Sequence, residues 1–470
     1  MTILILGLYI YIIFLFIYTW KDWFLSLCGL IVLTAVAKNP EFPESFAMIQ
    51  GLNLWNILFA NVFLTWLVTR RHQGFFWDMP RNISVFLVLW LGTILFGWVW
   101  MMFDRPDNYT LANLISERLI NTIKWPLLVF PLFDGCRTRG RIKLALVCIC
   151  LFFALVTVQV AMSIGPSAVF EIGDMDDRLD MPKKIGISAN GAGKMMSGVP
   201  WAMLAIMPLF KKWKYKYKFI MLGPCIASLY VIALAGSRSG YIACGATFVL
   251  LGLLRWRRRL LLLPLAVLIL PIALPGATSR MLLGFGKTDV AGEKTADKYY
   301  VTAGRNLIWP TVISKIEESP IFGFGRQAMT RTGVQKELEE LDRDVGMAHP
   351  HNAYLEVLLD SGIIGFLIII GLHTVIWAYS IRLFVDRVDP LCSAVGGFAL
   401  SLLTGHLVAF MGGQSFYPEQ IDVGLWCAIG VMLRVYVARG RFVAAMNSAS
   451  VAGMRMPQYT AALQTPLNWA

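Results

Sequence analysis

Only five histidines occur in the 470 residues, at positions 72, 349, 351, 373 and 406, and two of them stand together just before an apolar stretch. The segment reads Ala348-His349-Pro350-His351-Asn352-Ala353-Tyr354-Leu355-Glu356 and continues to Asp360-Ser361-Gly362-Ile363-Ile364-Gly365. An imidazole with a reference pKa near 6.5 is largely neutral at neutral pH yet able to take a proton, which suits His351 to general-base work. The same residue could instead be an interfacial histidine that caps the following helix together with Asn352. Glu356 could orient the imidazole, or simply sit near a helix start that favours an anion. His373 and His406 fall inside apolar runs, where a titratable group is either functional or a neutral ring hydrogen-bonded between helices. Glu419 and Asp422, near Tyr417, could contact sugar hydroxyls. Asp174-Met175-Asp176-Asp177 contains a D-x-D, a spacing used to hold a divalent metal against a diphosphate. In a polar loop such a run is usually solvation, and no metal is expected.

The elements that must position these groups are membrane helices. The chain is 57% hydrophobic and only 15% charged, with a mean hydropathy of +0.63, far from an ordinary soluble domain. Apolar runs recur near the roughly 20 residues that a helix needs to cross about 30 Å of hydrocarbon, without the alternation of barrel strands. Thirteen runs qualify, and Trp23 to Ala37 is short, so 12 or 13 transmembrane helices are expected in an all-α polytopic membrane protein. The first run has no basic flank or small-residue cleavage site and reads as a retained helix.

The net charge of +13 resides in three short segments, 137–143, 211–218 and 255–259, and the remainder sums to zero. Short basic loops between apolar runs follow the positive-inside rule, which puts them in the cytoplasm and makes nucleic-acid binding unnecessary. Of the eight cysteines only Cys136 lies in a basic loop, and no C-x-x-C occurs. Neither a disulfide framework nor a zinc site is indicated. With the basic loops inside, the expected organisation is amino-terminal helices over 1–164, an outer loop over 165–193 and central helices over 194–277. A large, partly helical outer loop over 278–354, helices over 355–437 and a disordered cytoplasmic tail over 438–470 complete it. The large loop carries ten charges of each sign, unlike the basic loops. Its stretch from Val334 to Asp344 reads as a solvated helix.

Three segments carry a resemblance. His351-Asn352, nine residues and then Gly362-Ile363-Ile364-Gly365 resembles the H-[NSQ]-x9-G-x-x-G pattern of the O-antigen ligase and polymerase superfamily. Ala235-Gly236-Ser237-Arg238-Ser239-Gly240 is similar to the family's SR-G turn. Gly304-Arg305-Asn306-Leu307-Ile308-Trp309 and Ser319-Pro320-Ile321-Phe322-Gly323-Phe324-Gly325 resemble its GR-x3-W and PL-x-G-x-G stretch. The match covers roughly Leu234 to Phe366. The amino-terminal third, with Asn39-Pro40-Glu41 and Ile187-Ser188-Ala189-Asn190-Gly191, is similar to the O-glycosylation ligase subgroup associated with exosortase gene clusters.

The resemblance implies a GT-C-like glycosyltransferase in the bacterial inner membrane, moving a glycan from undecaprenyl pyrophosphate to a hydroxyl of lipid A core at the periplasmic face. It implies a metal-independent transfer with no cofactor, in which arginines hold the carrier's phosphates through forked, always-charged guanidinium groups. Arg305 and Arg238 are the first candidates, Arg238 being alternatively a snorkelling helix end. Arg326 and Arg280 are lesser candidates that could be surface charges. Asn352, Tyr354 and Glu356 are candidate substrate contacts beside the base His351. A direct displacement would invert the anomeric carbon. A polymerase or a protein O-oligosaccharyltransferase would use the same donor, and a lipid-linked glycan flippase is the rival from another class. A transporter would place its charges at mid-membrane on broken helices, whereas these cluster at the outer rim.

Overall fold

A computed structural model describes residues 3–40, 42, 53–105, 109–164, 176–210, 215–282, 304–341, 347–413 and 415–451. Among the described residues there is no strand, as expected of a chain whose backbone polar groups must be satisfied within each segment in lipid. Five helices are long and apolar enough to cross a membrane: Arg81–Phe103, Arg139–Ser163, Ala353–Phe384, Pro390–Ala409 and Gln420–Ala445. Shorter apolar helices run Leu6–Tyr18, Trp23–Val36, Leu54–Thr69, Leu222–Ala235 and Arg238–Leu254.

Polar residues at the ends of the apolar runs start the helices. Asp22, Asn53, Thr138, Ser237, Asn352 and Asp389 each cap a helix by accepting from a backbone N–H two or three residues on. Burial then sorts the helices. The most apolar windows of Pro390–Ala409 and Gln420–Ala445 are 83% and 89% buried, and that of Arg81–Phe103 only 28%, so the first two form the centre and the last faces outward. Pro390–Ala409 packs on Ala353–Phe384, Val199–Ile206, Arg238–Leu254 and the last helix.

Several runs that read as single spans are broken. Residues 114–120 wind as a π-helix, followed by Asn121–Leu127 and Val129–Gly135, with Pro126 and Pro131 each removing a backbone donor. The Lys194 to Phe210 run is split between Ala189–Met196 and Val199–Ile206. The last helix extends to Val451, past the Val437 at which hydropathy ends it. Residues 452–470 lie outside the described residues, as do the Asp174-Met175 end of the D-x-D, Glu41 and Lys211 to Lys214.

One end of the bundle is basic and heavily ion-paired. Arg434 grips Asp78 through both Nη atoms at 2.7 and 2.8 Å, and Asp134 accepts from Arg70 Nε at 3.0 Å. The Arg238–Leu254 helix runs from the SR-G turn at its start to Arg255 at its end. Its 17 residues separate those two ends by about 25 Å at 1.5 Å per residue, which sets the candidate site opposite a basic loop.

Near that site, Arg305–Glu318, Ala328–Arg331 and Val334–Leu341 bury Ile308, Val312, Met329, Val334 and Leu338 against Leu359. The Val334–Leu341 helix is therefore not wholly solvated: its Val334 and Leu338 close this small second core.

Candidate functional site

The Ala353–Phe384 helix is broken at Gly362, whose φ of 59° and ψ of −166° no helix contains. The Ser319-to-Gly325 segment fills the break. Phe324 and Gly325 donate to the carbonyls of Leu359 and Asp360 at 2.9 and 2.8 Å, and Ile363 donates back to Pro320 at 2.9 Å. A Cβ at Gly362 would stand 2.2 Å from the Ile321 carbonyl oxygen, and one at Gly323 2.6 Å from that of Leu359. Gly323 and Gly362, one from each motif, are thus one feature: two backbones cross there with no room for side chains.

The residues just before this helix form a tight loop. Asn352 accepts from the N–H groups of Tyr354 and Leu355 at 3.0 and 3.4 Å, so it is the helix cap. His351 has φ 52°, a left-handed conformation uncommon outside glycine. It is held from both sides, since Trp309 Nε1 donates to the Pro350 carbonyl at 3.1 Å and Ala353 donates to that of Phe410 at 3.0 Å. Its Nε2 lies against the Met347 sulfur, and its ring meets that of His349 edge-on at 4.2 Å. A strained residue over-determined by its surroundings is what functional loops commonly show.

Arg305 opens the earlier helix Arg305–Glu318 after Gly304, whose φ of 76° suits only glycine without strain. Its Nη2 donates to the Gly412 carbonyl at 2.8 Å. A Cβ at Gly412 would meet Ser239 Cβ at 3.0 Å and Arg305 Nη2 at 3.5 Å, so the SR-G turn and Arg305 flank one glycine. The Arg238 and Arg305 charges are close enough to act on each other, and Arg305 acts on His351. The segments that carry His351, Arg305 and Arg238 therefore converge on residues 410–412. Two carbonyls there, free at the end of the Pro390–Ala409 helix, are taken up by Ala353 and Arg305.

Burial, with His349 and Arg305 adding positive neighbours, holds His351 down at about 3. The ring is neutral in the resting protein. Burial also lowers His349, against the pull of Glu419.

The other candidates fall elsewhere. Arg326, which the sequence allowed to be a surface charge, is 6% exposed. Its guanidinium lies 4.3 Å over the Tyr417 ring and bonds the Arg118 carbonyl. Glu356 does not reach the imidazole: its neighbours are Arg326, Asp360 and a hydroxyl donated by Ser415. Asp360 accepts from Ala328 N at 3.1 Å and Tyr417 Oη at 3.0 Å. Tyr354 spends its hydroxyl on the Leu407 carbonyl at 2.7 Å. Arg280 lies on Pro275–Met281, and its side chain lies outside the described residues. Asp422 points inward, not to a sugar, meeting Lys194 Nζ at 3.0 Å and His406 Nε2 at 3.3 Å.

A cavity of about 460 Å³ adjoins the loop, lined among others by His349, Glu356, Arg326, Arg118, Lys124 and Tyr417. Sequence reading missed Arg118 and Lys124. The available signal was Lys124 itself, a cation inside an apolar run, which marks function by default. Among the described residues no cluster of His, Cys, Asp and Glu could hold a metal, and all eight cysteines are free thiols.

Residues 223–370 match a family model described as O-Antigen ligase. A Rickettsia conorii protein described as a candidate polysaccharide ligase is 26% identical over 180 residues, covering 36% of this chain and 41% of that protein. The chain thus spans about two fifths of that relative. The resemblance that three motifs carry in the sequence stands: residues 223–370, which contain His351, Arg305 and Arg238, are an O-antigen ligase family segment.

Proposed function

We propose that this multi-pass membrane protein is a ligase-type glycosyltransferase. It moves a glycan from undecaprenyl pyrophosphate to an acceptor hydroxyl, lipid A core in the leading reading, at the periplasmic face of the inner membrane. The observation that carries this is the convergence of the three motifs on residues 410–412: Arg305 bonds Gly412, the Ser239 of the SR-G turn packs on that glycine, and the His351 loop is pinned to Phe410. In the reaction the acceptor oxygen forms its bond to the anomeric carbon as the bond from that carbon to the phosphate breaks. His351 takes the hydroxyl proton, and the pyrophosphate leaves on its lipid with its charge held by Arg305 and Arg238. One displacement inverts the anomeric centre and needs no metal. A polymerase or a protein O-oligosaccharyltransferase would run the same steps on another acceptor, and deleting the gene and identifying the surface molecule that loses its glycan separates the three.

Replacing Arg305 with Ala, more so together with Arg238→Ala, is expected to lower kcat/KM for purified lipid-linked donor by about 10–100-fold, the worth of one or two charge-assisted contacts. Unaltered donor kinetics would remove the phosphate-binding role.

The depressed basicity of His351 has a kinetic consequence. In the free protein the ring stays unprotonated down to about pH 3, so kcat/KM is expected to show no acid limb near 6.5. Pyrophosphate bound beside Arg305 offsets the arginine's repulsion and raises the imidazole, so the acid limb of kcat is expected at higher pH than that of kcat/KM. Parallel pH profiles of the two constants test this, and coincident limbs near 6.5 contradict it.

The buried Lys194–Asp422–His406 cluster is the one observation that favours a glycan transporter, which keeps charges within its bundle. Reconstituted protein that flips lipid-linked glycan but forms no product would establish that reading instead.

A further inference from the structure

The cavity beside His349 is built largely from chain that lies outside the family segment. Lys38, Trp55, Arg118 and Lys124 come from the amino-terminal third, and Tyr417 and Glu419 from the last outer loop. Only the wall formed by residues 326–329 and 348–360 belongs to the matched region. Its volume of about 460 Å³ sits within the roughly 300–1,000 Å³ of small-molecule sites.

The charges within it are segregated. At the wall shared with the candidate site, Glu356 and Asp360 face the buried Arg326, and Glu419 faces His349. At the other, Lys124 is 6% exposed, its ammonium 4.3 Å from the Trp125 ring and 5.0 Å from that of Trp55. It donates to Asn56 Oδ1 at 2.8 Å. Lys38 lines the same cavity and its charge acts on Lys124, and among the described residues no carboxylate is ion-paired with either lysine. A buried ammonium that feels the charge of a second lysine is disfavoured unless an anion joins them.

Two further observations point to a ligand. Glu117 and Arg118 lie on the π-helical turn 114–120, a rare winding found mostly where function demands it. Arg118 Nε, Gln327 Oε1 and Glu356 Oε2 line the same cavity as buried polar atoms without a protein partner. One donor and two acceptors left over in a small polar cavity suit a ligand rich in hydroxyl groups.

We propose that this cavity is the acceptor site, and that it takes a saccharide bearing an anionic group, phosphate or carboxylate, which Lys38 and Lys124 hold while a hydroxyl reaches the wall of His349 and Pro350, next to His351. The inference rests on the glycan-transfer reading. It divides the labour: the family segment holds the donor, and the amino-terminal third selects the acceptor.

The test is binding of soluble sugars to the purified full-length protein in nanodiscs, followed by ligand-observed NMR, with glucose, glucose 6-phosphate and glucuronate as probes. At least one charged sugar is expected to bind about tenfold more tightly than glucose, the worth of one charge-assisted contact. The stronger of the two identifies the anion. Lys124→Gln is expected to erase that preference, and Lys38→Gln, at an exposed rim position, to weaken it without risk to the core. Arg305→Ala should leave it intact. Equal binding of all three sugars, a preference that survives both lysine changes, or one that vanishes only with Arg305→Ala overturns the proposal. The assay needs no donor, so its failure is separate from failure of the transfer reading, which His351→Ala probes.

Discussion

His351→Ala is expected to reduce glycan transfer by about 10²–10⁴-fold, the contribution of a positioned general base, while the protein remains in the membrane at its normal level. The second half of that expectation follows from the geometry. The imidazole's polar contact is the Met347 sulfur, a weak acceptor, whereas the loop is pinned by backbone groups at Pro350 and Ala353. Alanine keeps those bonds and keeps the left-handed φ of 52°, so the variant separates loss of chemistry from loss of fold. Transfer assayed with equal amounts of wild-type and variant membranes decides it. Near-normal activity would discard His351 as the base. The proton would then pass to His349, whose ring lies 4.2 Å away and which borders the cavity with Glu419 nearby.

The all-helical class was legible because it depends on local pattern, whereas the three candidate site residues were singled out by the motifs that carry the family resemblance. Apolar runs of helical length report the solvent, and histidine and arginine at their mouths stand out against it. What hydropathy cannot report is where such a run breaks. Residues 119–133 look like one span, yet the π-turn and the prolines divide it, and that division carries Arg118 and Lys124 to a cavity wall. Arg326 illustrates a second blind spot. A charge in a polar loop reads as solvated, and its burial under Tyr417 depends on residues 91 positions further along the chain. Of the two readings open for Glu356, the helix-start one fits the geometry: it lies in the first turn of Ala353–Phe384, toward Arg326, while His351 stands before that helix in a left-handed turn. The glycine motifs were visible as spacing alone, because the reason for them is a contact between two distant segments.

That contact supplies the largest structural effect expected here. Gly362→Ala should destabilise the protein by more than about 3 kcal/mol, beyond the 0.5–3 kcal/mol of ordinary substitutions. Two penalties combine. The position has φ 59° and ψ −166°, a region essentially reserved for glycine, where another residue stores about 1–3 kcal/mol. The added methyl would also sit 2.2 Å from the Ile321 carbonyl oxygen, and backbone cannot move aside as a flexible side chain can. Relief requires parting the Ser319-to-Gly325 segment from the helix break, which forfeits the bonds from Phe324, Gly325 and Ile363. Those bonds satisfy buried backbone groups that the break leaves exposed to lipid or core, where an unmade bond is costly. Parting also carries Arg326 and the Asp360 carboxylate away from Tyr417, so the cavity would be lost with the fold. Gly440→Ala, on the last helix with nothing within 4 Å of its Cβ, serves as the control and should be neutral or slightly stabilising. Thermal unfolding of the two variants in detergent measures the difference. Equal melting temperatures and equal yields would show that the two motifs are not interlocked, and the family spacing of glycines would need another cause.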